Sequence, residues 1–244
     1  MILVVKVLLV MLGIPILLVV GSFIVCFLPV KLWYEKTVYY TQTHNSFWTT
    51  FLNKGTKGEF LIWKCLDKLP GYKKFLFNCY LPKDNGETTE IDVILLHESG
   101  IYVFESKNYS GWIFGTETQQ YWTQVLLNRR RGAQKFVFFN PIIQNVIHLK
   151  WLCKYLNRSH EGFYSYIVFG EHTTLKKIVL TSGLHCVINR TQMLPIVFVN
   201  AWRKMGTLTS YEIDDLYTNL YPFTQINEEI KINHIKSIQK KNFS

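Results

Sequence analysis

Four charged residues interrupt two apolar segments in the 244-residue chain. Glu90 and Asp92 lie in the first segment, and Glu105 and Lys107 lie in the second. Carboxylate oxygens are the ligands that Mg²⁺ and Mn²⁺ favour in proteins. These residue types predict a divalent-cation site, provided that the fold brings them to one face.

Two predicted β-strands, residues 89–96 and 101–107, carry these charges. Side chains alternate between the faces of a strand, so each strand keeps its charged residues on one face. A four-residue loop at 97–100 places Asp92 opposite Glu105, whereas a two-residue loop at 99–100 places Asp92 opposite Lys107 and diagonal to Glu105. Opposed Cβ atoms are about 5 Å apart and diagonal ones about 7–8 Å. Both registers therefore let Asp92 and Glu105 reach one ion.

The alternative interpretation is an ordinary cross-strand salt bridge. A Glu-x-Lys triplet is weak evidence, because chance gives about one in a chain of this length. The joint pattern favours the metal site, since an aspartate stands in the preceding apolar strand on the same face. Two carboxylates at this spacing repel each other unless a cation lies between them.

The surrounding elements predict an α/β fold in which helices flank a mixed β-sheet. A helix is predicted over residues 56–70 and a strand over 72–82, with a hairpin turn at Asn85-Gly86. The Asn140-Pro141 pair has the form of a helix start, and residues 209–212 have capping-box form. The remaining predicted strands cover residues 111–115, 121–126, 163–170, 176–182 and 184–189.

The amino-terminal segment, residues 7–30, contains no charged residue and is long enough to cross a bilayer as one helix. A cleaved signal peptide is the alternative, but the apolar run exceeds the usual length and no Ala-x-Ala site follows it. Basic residues predominate after the run, which predicts a single-pass cell-membrane protein with a cytoplasmic carboxyl-terminal portion. We expect a connector over 31–56, a compact domain over 57–223 and a peripheral tail over 224–244.

The motif-bearing residues resemble a known nuclease superfamily, named PD-(D/E)xK. The ordered set is Gly58-Glu59, Asp92, Glu105-x-Lys107, Asn140-Pro141 and Gln144. The segments "EIDVILLHESGIYVFESKNYSGWI" and "NPIIQNVIHLK" resemble, more narrowly, the NERD (nuclease-related) domain. The resemblance covers residues 57–156, and Ile91 stands where the superfamily's name has proline.

The resemblance implies a restriction-endonuclease-like fold and a role for each matching residue. Asp92 and Glu105 would hold Mg²⁺ or Mn²⁺, and Lys107 would orient the attacking water or help to deprotonate it. Glu59 would be a further acidic residue near the metal, and Gln144 would contact the site from the following helix. For Glu59 the alternative is a solvated first-turn acid, and for Gln144 it is a surface amide.

The densest basic cluster consists of Arg129, Arg130, Arg131 and Lys135, in a chain whose net charge is +10. It predicts a nucleic-acid-binding surface, with attraction to anionic lipid headgroups as the alternative. We therefore expect a membrane-anchored, metal-dependent nuclease that hydrolyses nucleic acid, DNA foremost. The alternative function is a catalytically silent nucleic-acid-binding or scaffold module at the cytoplasmic face of the membrane.

Overall fold

The structure is a computed structural model that describes residues 15, 18, 21–23, 25–128, 130 and 132–242. The chain divides into two compact units, Met1–Phe47 and Trp48–Ser244. The first unit contains α1 (Val38–Thr43), which begins after Thr37, whose hydroxyl accepts a hydrogen bond from the Tyr40 amide. Helix α2 (Phe47–Leu52) follows at the boundary. The predicted connector thus contains two short helices.

The predicted membrane span, residues 7–30, lies partly outside the described residues, at positions 7–14, 16, 17, 19, 20 and 24. Its described residues are helical. Within the part of the chain that the structure describes, no helix combines the length and the apolar character needed to cross a membrane.

The second unit is a mixed α/β fold with two β-sheets, whereas the sequence predicted one. The first sheet has the strand order β1-β2-β3-β7-β9 and the second has β6-β5-β4-β8. The strands are β1 (Lys73–Pro82), β2 (Thr88–His97), β3 (Gly100–Lys107), β4 (Gly111–Thr116), β5 (Tyr121–Asn128), β6 (Gly132–Phe139), β7 (Phe163–Phe169), β8 (Thr173–Val179) and β9 (His185–Asn189). In the second sheet β4 pairs in parallel with β8, and in the first sheet β3 pairs in parallel with β7.

Besides most of α2 and a 3-10 helix at Tyr221–Thr224, five α-helices accompany the two sheets in the described part of this unit. They are α3 (Lys54–Leu66), α4 (Pro141–Leu156), α5 (Arg190–Arg203), α6 (Ser210–Leu220) and α7 (Glu228–Asn242). The sequence predicted α3, α4 and α6 but not α5, whose interior holds Pro195. The predicted peripheral tail contains α7, and its His234 is only 7% exposed.

The sheet of β1, β2, β3, β7 and β9 carries helices on both faces. Leu149 and Leu152 of α4 and Leu216 of α6 pack with Ile94 and Val103 on one face. On the other face Gly58 of α3 approaches Ser106 so closely that a Cβ atom there would lie 2.4 Å from the serine Oγ. The opposed packing fixes α3 and α4 on either side of the charged end of β3.

A second core cluster joins the two sheets. Trp122 of β5 and Ile113 of β4 pack against Ile142 of α4 and Phe169 of β7. The Trp122 ring stacks on Phe169 with centroids 6.2 Å apart, and its Nε1 donates to the Thr116 carbonyl at 2.9 Å. This cluster holds the start of α4, and hence Gln144, against the first sheet.

Candidate active site

The structure adopts the register predicted for the loop at 97–100, and the register predicted for the loop at 99–100 is wrong. The turn itself is shorter than predicted, because His97 also pairs with Gly100 and leaves only Glu98 and Ser99 between the strands. Leu96 pairs with Ile101, and the ladder ends at Val93 with Phe104. Asp92 and Glu105 are the next residues outward on the two strands. Beyond this point β2 pairs only with β1, and β3 only with β7. The strands thus separate where the charges begin.

Asp92 itself terminates the ladder. Its Oδ2 accepts a hydrogen bond from the Ser106 amide at 2.7 Å, which takes the place of a strand–strand bond. Burial raises the pKa of Asp92 well above its usual range, and the neighbouring carboxylates of Glu105 and Glu59 raise it further. Keeping this aspartate ionised therefore needs positive charge nearby.

Glu105 lies between two nitrogen donors and is 1% exposed. Its Oε1 accepts from Lys107 Nζ at 2.6 Å, and its Oε2 lies 3.1 Å from His148 Nε2. Burial opposes the charged form of Glu105, but the Lys107 ammonium and the His148 bond outweigh it and hold the glutamate pKa below its usual range. Glu105 is therefore ionised at neutral pH.

Lys107 is held by β3 and α4 together. Besides Glu105, its Nζ donates to Gln144 Oε1 at 3.1 Å. Burial disfavours the charged lysine, but the carboxylates of Glu105 and Asp92 dominate and raise its pKa. The salt bridge considered in the sequence analysis is thus present in this structure, and the acidic pair lies beside it.

Glu59 and Glu90 extend the acidic region. Glu59 lies on α3, is 8% exposed and acts electrostatically on Asp92. Glu90 accepts from the Tyr80 hydroxyl at 2.5 Å, and its Oε2 lies 3.6 Å from His234 Nε2 of α7. Burial raises the pKa of Glu90. Helix α7, which lies in the predicted tail, therefore reaches a strand that carries the site.

Sequence reasoning missed His148 and Asn78. His148 stands one helical turn after Gln144, and that spacing places both side chains on one face of α4. Asn78 lies across from Asp92, between the pairs Phe77–Val93 and Cys79–Ile91, and has φ 50°. Its Oδ1 is buried and has no hydrogen-bond partner among the described residues. The sequence did not predict the left-handed φ of Asn78, because it lies within a segment that was predicted to be a regular strand.

A divalent cation fits the chemistry of these residues. Asp92 and Glu105 offer carboxylate oxygens, and the unpartnered Asn78 Oδ1 is an amide oxygen on the strand that faces Asp92. Hard cations take such oxygen ligands. Among the described residues, no group of three or more histidine, cysteine, aspartate and glutamate side chains is arranged to hold a metal ion.

Two residues of the basic cluster, Arg130 and Lys135, lie on the hairpin of β5 and β6. Arg130 is exposed in the turn, and Lys135 is exposed on β6 opposite Val125. Arg129 and Arg131 lie outside the described residues. The structure thus brings together Asp92, Glu105, Lys107 and Gln144. Arg130 and Lys135 lie on a different hairpin.

Comparison with known proteins shows what part of this chain is similar to a known family. The NERD model, described as a nuclease-related domain, matches residues 54–170, which include α3, the first sheet through β7 and the whole acidic region. An uncharacterized protein of Bacillus anthracis is 29% identical over 189 residues, or 77% of this chain and 85% of the relative. No solved structure matches the chain. Over residues 54–170 the chain is therefore similar to nuclease-related domains.

Proposed function

We propose that this protein hydrolyses phosphodiester bonds of nucleic acid, with DNA as the preferred substrate and Mg²⁺ or Mn²⁺ as cofactor. The observation that supports this most is the meeting of Asp92, Glu105 and Lys107 at the point where β2 and β3 separate. The nuclease-related domain match covers these residues.

Asp92 and Glu105 are the residues that would hold the cation. Mg²⁺ usually keeps several waters and binds through one or two carboxylates and substrate phosphates, so a complete protein cage is not required. When bound, the cation would stabilise charge on the phosphate and lower the pKa of a water. Its positive charge would also favour the ionised form of Asp92, whose pKa is raised by burial and by its acidic neighbours.

Lys107 is proposed to orient the water or the phosphate. Its Nζ can turn between Glu105 and Gln144 because both acceptors lie within 3.1 Å of it. Gln144 would keep the ammonium in place when Oε1 of Glu105 binds the cation. Glu59 would add negative charge from α3 without contacting the phosphate.

The test is cleavage of plasmid, linear and single-stranded DNA by the full-length chain with Mg²⁺, Mn²⁺ or EDTA. Asp92→Asn and Glu105→Gln should each lower the rate by about 100-fold or more, the scale of losing one group that stabilises transition-state charge. Asp84→Asn is the control, because Asp84 is exposed and pairs with Lys154. Equal rates in all these variants would contradict the proposed site.

We further propose, from the sequence, that residues 7–30 anchor the protein in the cell membrane with the domain on the cytoplasmic side. The uncharged run and the lysines that follow it support this proposal. Arg130 and Lys135, with their neighbours, would contact nucleic-acid phosphates or anionic lipid headgroups. Protease added to intact cells should leave residues 57–223 uncut, and their digestion would reverse the proposed orientation.

The alternative function is a catalytically silent binding or scaffold module. The close Lys107–Glu105 pair favours it, because a salt bridge satisfies both groups without a cation. This alternative predicts nucleic-acid binding that EDTA does not change and no cleavage in any metal. A gel-shift measurement made beside the cleavage assay separates the two functions.

A further inference from the structure

We infer that His148 is a positioning residue that fixes Oε2 of Glu105 and leaves Oε1 as the oxygen available to a cation. The inference rests on the proposed function, because it concerns the same carboxylate. His148 is 3% exposed, and each ring nitrogen has a partner. Nε2 lies 3.1 Å from Glu105 Oε2, and Nδ1 lies 2.7 Å from Thr89 Oγ1.

The chemistry of the partners sets the direction of both bonds. An ionised carboxylate only accepts hydrogen bonds, so Nε2–H of His148 donates to Glu105. When the ring carries its single proton on Nε2, Nδ1 accepts a hydrogen bond from the Thr89 hydroxyl. The three residues come from α4, β3 and β2, so one imidazole connects the helix to both strands that carry the acidic pair. Partners of this kind orient metal-binding carboxylates in proteins.

Lys107 holds the other oxygen less firmly. Its side chain is 16% exposed and has a flexible stem, and Gln144 offers its Nζ a second acceptor. Release of Oε1 therefore leaves the ammonium with a partner. Release of Oε2 would instead leave a nearly buried His148 nitrogen without its acceptor, which costs more. We therefore expect the cation to replace Lys107 at Oε1 of Glu105, while the hydrogen bond from His148 to Oε2 is kept.

Calorimetric titration of the full-length chain with Mg²⁺ and Mn²⁺ tests this difference. His148→Ala should weaken metal binding about 10–100-fold, the usual cost of losing such a partner. His148→Gln should restore part of the affinity, because its amide can still donate to Glu105. Lys107→Met should keep or tighten binding, because it removes a competing cation from Oε1.

Two further variants separate positioning from general stability. Thr89→Val keeps the side-chain size and removes only the hydroxyl that holds His148, so binding should weaken several-fold or less. His97→Gln is the matched control: His97 is fully buried and both ring nitrogens are bonded, to Ser99 and to the Pro70 carbonyl. It should lower the melting temperature without changing metal affinity.

Unchanged affinity in His148→Ala, or an equal loss in His97→Gln, would overturn the inference. A wild-type chain that binds neither ion would contradict the metal-dependent function itself. Melting temperatures of His148→Ala, Glu105→Ala and the double variant then decide whether the histidine holds the glutamate. Shifts that are smaller in the double variant than the sum of the single ones support a shared bond, and additive shifts overturn it.

Discussion

Replacement of Gly58 by alanine tests how α3 is set against the strand that carries Glu105. The new Cβ would lie 2.4 Å from Ser106 Oγ and 3.2 Å from Asn108 Cβ. Overpacking of this kind costs about 1–3 kcal/mol. Alanine in a helix interior gains about 1 kcal/mol over glycine. The net expectation for Gly58→Ala is a loss of about 1 kcal/mol.

The Ser106 hydroxyl makes the expectation sharper. Its Oγ is buried and has no hydrogen-bond partner among the described residues, so its burial is uncompensated. Ser106→Ala should therefore stabilise the protein by about 1 kcal/mol, the lower end of the cost of an unsatisfied buried group. The double variant Gly58→Ala with Ser106→Ala removes the closest contact and keeps the helix gain. It should be at least as stable as the unaltered protein.

Thermal melts of the four proteins measure this cycle. One kcal/mol corresponds to about 2–4 °C for a domain of 150–250 residues. The melting temperature should fall in Gly58→Ala, rise in Ser106→Ala and return to or above the starting value in the double variant. A rise in Gly58→Ala alone, as at an open helix position, would refute the close approach of α3 to β3.

Two further predictions concern the start of α4 and the acid stability of the second sheet. Asn140→Ala should lower the free energy of unfolding by about 2 kcal/mol, near the upper end for a helix cap. The reason is that the Asn140 side chain accepts from the Ile142 amide and its Nδ2 donates to three backbone carbonyls. Chemical denaturation measures this change, and a loss under about 0.5 kcal/mol would show that the cap is dispensable. Bonds from the Ser182 side chain and from the backbone amides of Thr181 and Ser182 lower the pKa of Glu117 to about 2. This stabilisation is complete above the unfolded-state pKa of about 4.3 and is lost as the pH falls to about 2. Melts of Glu117→Gln should therefore depend less on pH in that window, and an unchanged pH profile would contradict the assignment.

The pairing of β2 with β3 could be predicted from the sequence, because an even loop fixes the register. Strict alternation along β2 could not: Ile91 and Ile94 pack in one core cluster, and Thr89 bonds His148 on the side of Glu105. Asn140-Pro141 marks the start of the helix that carries Gln144. The apolar residues of that helix were less informative. Val146 is 44% exposed, whereas His148 is buried because Glu105 and Thr89 satisfy its ring. Such pairing depends on tertiary contacts that the sequence of one helix does not contain.

The elements that the sequence missed have similar causes. Helix α5 contains Pro195 and the β-branched residues Ile196, Val197 and Val199. These residues disfavour a helix locally, but burial of Met193 and Val197 outweighs that preference. The division into two sheets rests on the pairing of β4 with β8. That contact joins segments far apart in the chain, and no local pattern specifies it.

The most direct test of the central claim is the dependence of plasmid cleavage on Mg²⁺ concentration in the unaltered chain and in Lys107→Met. The account predicts that the unaltered chain cleaves with a saturable dependence on Mg²⁺ and stops in EDTA. Lys107→Met should saturate at the same or a lower Mg²⁺ concentration, because the cation no longer competes with the ammonium. Its maximal rate should be reduced by about 100-fold or more. Cleavage that persists in EDTA, or an unchanged maximal rate in Lys107→Met, would contradict the roles assigned to Asp92, Glu105 and Lys107.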